Sequence, residues 1–195
     1  MTEPTKEDWI RSLLVLAVMF MLLMALCAVT AHCMDPSQQT IQETLSIYIK
    51  HCNPRLDPST RRHIAAEIIC QCHNAEVPWE VIAAIMKVES YYDPTAIGPM
   101  GEIGLMQIYT TKCAGVEFNK ALLFDIGYNI TAGICIFLSK LVMAEGDYRG
   151  AIMLYNGQGP GAEKFRKRVY GVIFDIFRFR VAISKKEGII NASGY

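Results

Sequence analysis

The chain has 195 residues, enough for one domain with a real core plus a targeting segment. Lysine and arginine together number 19 and aspartate and glutamate 19, so no global basic field exists to draw in nucleic acid non-specifically, and no nucleic-acid partner is expected. The hydrophobic fraction of 52% is slightly high for a soluble domain, and the excess lies near the N-terminus.

In chain order, the first element is the uncharged stretch from Leu13 to Ala31, LLVLAVMFMLLMALCAVTA. As a helix it would span roughly 28 Å, close to the hydrocarbon thickness of a bilayer. Lys6 and Arg11 precede it and the first lysine or arginine after it is Lys50, which places the N-terminus in the cytoplasm and the rest outside. Residues 1–34 are therefore expected to be a cytoplasmic tail and single-pass inner-membrane anchor, with the domain in the periplasm or at the cell exterior. The alternative is a signal peptide cleaved after Val29-Thr30-Ala31. Both export the rest of the chain. A lipoprotein at Cys27 is disfavoured by Leu26, where a small residue is expected.

Residues 35–58 are predicted to be a linker holding a short amphipathic helix, Gln42 to His51, ended by Asn53-Pro54. The catalytic domain is expected over 59–185 and a flexible tail over 186–195. Asp57-Pro58 reads as an N-cap with proline at the first helical position, opening a helix to about His73. Pro78 opens a second, Trp79 to about Ser90, followed by a Gly- and Pro-rich loop from Tyr91 to Gly104. Asp125 caps an apolar helix ending near Gly146, another runs from Asp147 to Tyr155, and a basic-apolar helix follows from about Ala162 to Ser184. The expected fold is mainly α, of the all-α or α+β kind: a single globular helical domain behind one N-terminal transmembrane helix.

Five cysteines follow residue 34, at 52, 70, 72, 113 and 135, an odd number whose pairing cannot be read from sequence. Cys70-Gln71-Cys72-His73 invites a metal reading but lacks the second ligand pair that zinc spacing needs, so small buried cysteines are expected and no metal.

On the helix after Pro78, residues Ile82, Ile85, Met86 and Glu89 fall at i, i+3, i+4 and i+7, on one face. Glu89 thus continues a buried stripe. Desolvation and the negative end of the helix dipole both favour its neutral form, which is what a general acid needs near neutral pH. The alternative is a glutamate that snorkels at a helix end. Gly98, Gly101 and Gly104 in the next loop permit tight turns against a ligand, and without a Gly-Lys-Ser/Thr ending or a preceding strand they do not read as a phosphate or dinucleotide loop. No cofactor is implied.

The run from Glu89 to Ile108, ESYYDPTAIGPMGEIGLMQI, resembles the core motif of the soluble lytic transglycosylase family, of lysozyme-like fold. Asn129-Ile130 with Gly133 and Leu138 resembles the family's middle helix, and Tyr155-Asn156-Gly157 its tyrosine-asparagine segment. Leu154 and Gly157 stand where the family often has alanine. The resemblance covers about residues 60 to 170 and implies that Glu89 is the single catalytic acid/base, with Ser90, Met106, Gln107, Tyr155 and Asn156 lining a sugar groove. For Met106 the alternative is core packing. For Tyr155 a core position with its hydroxyl on Glu89 is compatible with the groove.

The activity so implied is cleavage of the N-acetylmuramic acid–N-acetylglucosamine bond of peptidoglycan glycan strands with formation of a 1,6-anhydro ring. A lysozyme-type hydrolase is the competing enzyme, for which Asp93, Glu102 and Asp125 are the nearby second carboxylates. A glycan-binding or assembly component of an envelope-crossing machine (secretion, conjugation or phage entry) is the non-enzymatic alternative, and machine proteins are possible partners. The basic helix carrying Lys164, Arg166, Lys167, Arg168, Arg178 and Arg180 is expected to present a solvated charged face, with anionic glycan or lipid headgroups as the alternative ligand.

Overall fold

The computed structural model describes residues 36–109, 112–113, 116–157 and 159–186. The apolar stretch from Leu13 to Ala31 and the tail beyond 186 lie outside the described residues. Six helices account for most of the described chain: α1 Pro36–Cys52, α2 Pro58–Asn74, α3 Trp79–Ser90, α4 Ile126–Met143, α5 Tyr148–Tyr155 and α6 Pro160–Lys186. Between α3 and α4 lie a two-stranded antiparallel ribbon, β1 Lys112–Cys113 with β2 Val116–Glu117, and a 3-10 turn at Lys120–Phe124. The domain is mainly α, as the helical periodicity implied.

The helix starts follow from capping chemistry. The Asp57 carboxylate accepts from the backbone amides of Ser59 and Thr60, Asp125 from Tyr128, and Asp147 from Arg149 and Gly150. Each satisfies amides that would otherwise lack a partner in the first turn. α1 begins at Pro36 instead of Gln42, and Leu45, Tyr48 and Ile49 are buried in the core together with α2 and α3. The sequence expectation of a short amphipathic helix within a linker did not include this packing, to which Ile41 and Cys52 also contribute.

α3 is the central element. Ile82, Ala83, Ala84, Ile85 and Met86 are all fully buried, with α2 and α6 packed along it. α4 packs on α2 and α5, and α5 on α6. α4 is long and apolar enough to cross a membrane, with a mean hydropathy of 1.5, but Ile130, Ala132, Ile134 and Phe137 on it are buried within this core.

Candidate active site

The loop after α3 is held by a small number of polar contacts. Tyr91 and Tyr92 both take positive φ, 55° and 63°, so the chain turns sharply off the helix. The Tyr92 ring is fully buried and its hydroxyl donates to the carbonyl of Ala83 at 3.0 Å. Asn129, buried on α4, binds the loop at two points and the 3-10 turn at a third: its side-chain oxygen accepts from the Met106 amide at 2.8 Å, and its amide nitrogen donates to the carbonyls of Ile103 and Leu123 at 3.0 and 2.6 Å. Gly104 sits against this amide at φ +74°, where a Cβ would strike both Asn129 and the Leu123 carbonyl. At Gly133 a Cβ would come within 2.6 Å of the Met106 side chain.

Three successive carbonyls in the last turns of α3, those of Met86, Lys87 and Val88, receive a donor from outside the helix ladder. Ser90 Oγ donates to Met86 O at 3.3 Å and to Leu105 O at 2.8 Å, the Tyr91 amide to Lys87 O at 3.1 Å, and Arg168 Nη2 to Val88 O at 3.2 Å. Glu89 projects from this braced turn into a groove of about 400 Å³, shared with Glu102, Gln107, Lys140, Tyr155 and Asn156. Burial pushes its carboxyl up to about 7; the nearby Arg168 charge opposes the shift and the Glu102 charge adds to it. The group is thus poised between acid and base near neutral pH.

The other sequence-predicted site residues divide into two sets. Gln107, Tyr155 and Asn156 line the groove with Glu89. The Gln107 amide donates to the carbonyls of Gly104 and Ala96, at 2.9 and 3.3 Å, which fixes its oxygen's direction. The Tyr155 hydroxyl donates to Met106 O at 3.0 Å, rather than to Glu89, and burial followed by the Glu89 charge keeps its proton on well above the usual range. Ser90 and Met106 are placed differently. Met106 is fully buried against Gly133, the core-packing alternative, and is linked to the groove only through the carbonyl that accepts from Tyr155. Ser90 faces a separate depression of about 460 Å³ beside Asn53, Tyr91 and Asp93, which does not contain Glu89.

Of the three candidate second carboxylates, Asp93 accepts from Thr95 within its own turn and Asp125 caps α4. Glu102 alone of the three lines the groove, with one oxygen accepting from the Met100 amide at 2.8 Å. Arg168 and Lys140 were not singled out as site residues by sequence reasoning. Arg168 lay among the cations read as a solvated face, and only its position relative to α3, 80 residues away in sequence, distinguishes it. Elsewhere on that helix Arg166 and Lys167 pair with Glu163, and Arg180 with Glu80 at 2.9 Å. Among the described residues, no three His, Cys, Asp or Glu side chains converge as a metal site would require.

A family model described as the transglycosylase SLT domain matches residues 66–171, which takes in α3, the loop, α4, α5 and the Arg168 contact. Over 63 residues the chain is 41% identical to a protein named membrane-bound lytic murein transglycosylase F from Desulfosudis oleivorans, a match covering 32% of this chain and 13% of that protein. The chain therefore spans only a small part of the curated relative it matches. No solved structure matches significantly.

Proposed function

The chain belongs to the transglycosylase SLT domain family, and from that premise we propose that it is a peptidoglycan lytic transglycosylase with Glu89 as its single acid/base. The observation that carries this reading is the Glu89 carboxyl itself, held in the groove at about 7. Its neutral form protonates the glycosidic oxygen as the bond to the muramyl C1 breaks. The resulting carboxylate then takes the proton of the muramyl 6-hydroxyl as that oxygen attacks C1, closing a 1,6-anhydro ring and restoring the acid. Gln107, Tyr155 and Asn156 supply amide and hydroxyl groups for the N-acetyl and hydroxyl groups of the glycan. Met106 and Ser90 serve the same groove as positioning residues, Met106 through the carbonyl that holds Tyr155 and Ser90 through the end of α3.

The anchor reading belongs to the same proposal: Leu13 to Ala31 spans the inner membrane and holds the domain on its outer side. Its support is the charge-free stretch and the membrane-bound relative. Glu102 favours one competing reading, the hydrolase, because it shares the groove with Glu89. The mass of the saccharides released from purified sacculi separates the two. Products lighter than hydrolysis products by one water, lacking a new reducing end, are expected; reducing-end products, with Glu102→Gln as damaging as Glu89→Gln, would establish the hydrolase.

A further inference from the structure

Cys113 and Cys135 come from different elements. The first lies in β1 and is 7% exposed; the second is half-buried on α4, against which β1 packs. A side-chain hydrogen bond joins the two thiols. Neither lines the groove of Glu89, but each lies close in the chain to residues that do. β1 follows the groove residues Gln107 to Tyr109 by a few positions, and α4 carries Ile136 and Lys140, one and five residues beyond Cys135, into the groove wall.

We propose that Cys113 and Cys135 are a redox-active dithiol that closes to a disulfide by exchange with a disulfide oxidant, locking the ribbon onto α4 beside the groove. Cys113 is the attacking sulfur. The proton shared from Cys135 outweighs burial and, with Ser139 and Lys140 beside it, holds Cys113 below the usual thiol range, while Cys135 is held above it. With glutathione disulfide as oxidant, the Cys113 thiolate attacks one sulfur and expels a glutathione thiolate, leaving a mixed disulfide. Cys135 then gives up its proton and attacks the Cys113 sulfur, expelling the second glutathione. Two protein thiols are oxidised, one disulfide is reduced to two thiols, and protons balance. Closure in the cell rests on the proposed export to an oxidising compartment. Closure with added oxidant does not, so the two readings fail separately.

The test uses full-length protein in detergent, incubated with glutathione disulfide, alkylated and digested with trypsin. Cleavage after Lys112, Lys120 and Lys140 releases peptides 113–120 and 121–140, each with one cysteine. The expected result is a single species in which these two peptides are joined and separate on reduction. In Cys135→Ser the same treatment should stop at a glutathione adduct on Cys113, which distinguishes a resolving partner from a bystander. Recovery of both wild-type peptides alkylated, or of Cys113 joined to Cys27, Cys33, Cys52, Cys70 or Cys72, would overturn the assignment.

Discussion

The two ends of α3 are built differently. At its N-terminus Pro78 offers no side-chain cap, and the nearest charge contact is the half-exposed pair between Glu80 and Arg180, with the Arg180 guanidinium also over the Trp79 ring. At its C-terminus, three successive carbonyls receive donors from Ser90, Tyr91 and Arg168, and two left-handed residues turn the chain away. An ordinary helix end tolerates water on its carbonyls. The proposed role of Glu89 requires its carboxyl to be held to within a fraction of an ångström, and these donors brace the backbone from which it projects.

The largest effect should come from Glu89→Gln, which keeps the shape and removes the transferable proton. Turnover of sacculi should fall by about 10²–10⁴-fold or more, and residual activity above a few per cent would show that the braced end of α3 is not where the proton moves. Asn129→Ala comes next, at roughly 3 kcal/mol of stability in denaturant unfolding, because it strands the Met106 amide and two carbonyls. Turnover should drop with it; an unchanged groove would mean that the loop is held by packing alone.

A smaller effect has a definite sign. The Glu89 carboxyl sits at about 7 against an ordinary 4.5, so the folded state retains its proton longer than the unfolded state. The wild type's stability is thus full below about pH 4.5, declines as pH rises through about 7, and is level above. Glu89→Gln escapes the decline and should be more stable than the wild type at pH 8, by at most about 3 kcal/mol, and nearly equal to it at pH 4. A gain that is the same at both pH values would point to packing instead of charge. At the other end of the helix, Arg180→Ala should cost less than about 1 kcal/mol and leave turnover unchanged, since the pair it breaks is solvent-screened. A loss of activity there would erase the contrast between the ends.

Local chemistry made the helices legible. Asp57-Pro58, Pro78, Asp125 and Asp147 mark starts that the structure reproduces, and the apolar stripe ending in Glu89 placed that carboxyl in a desolvated position. The segment from Lys112 to Phe124 was not legible, because two-residue strands and a single 3-10 turn leave too few residues for any period to register. Arg168 was missed for a different reason: an exposed cation on a basic helix looks the same in sequence whether it meets water alone or also the carbonyl of Val88. Met106 and Gln107 are adjacent in a motif, yet one packs into the core and the other lines the groove. The positive φ of 49° at Gln107, invisible in the sequence, is where the chain turns between them.

The hydropathy of α4 bears on how such a chain would be made. A segment of 18 residues at mean hydropathy 1.5, threaded unfolded through a translocation channel, competes for lateral release into the lipid before any partner helix exists to bury it. Asn129, Thr131, Ser139 and Lys140 oppose that release. On the proposed export, Asn129 would act twice in the life of the molecule, first as a polar residue that keeps α4 moving through the channel and later as the clamp on the loop. Asn129→Leu would keep most of the side-chain volume but raise the risk that α4 stops in the bilayer, a defect of topology that purified, refolded protein would not display.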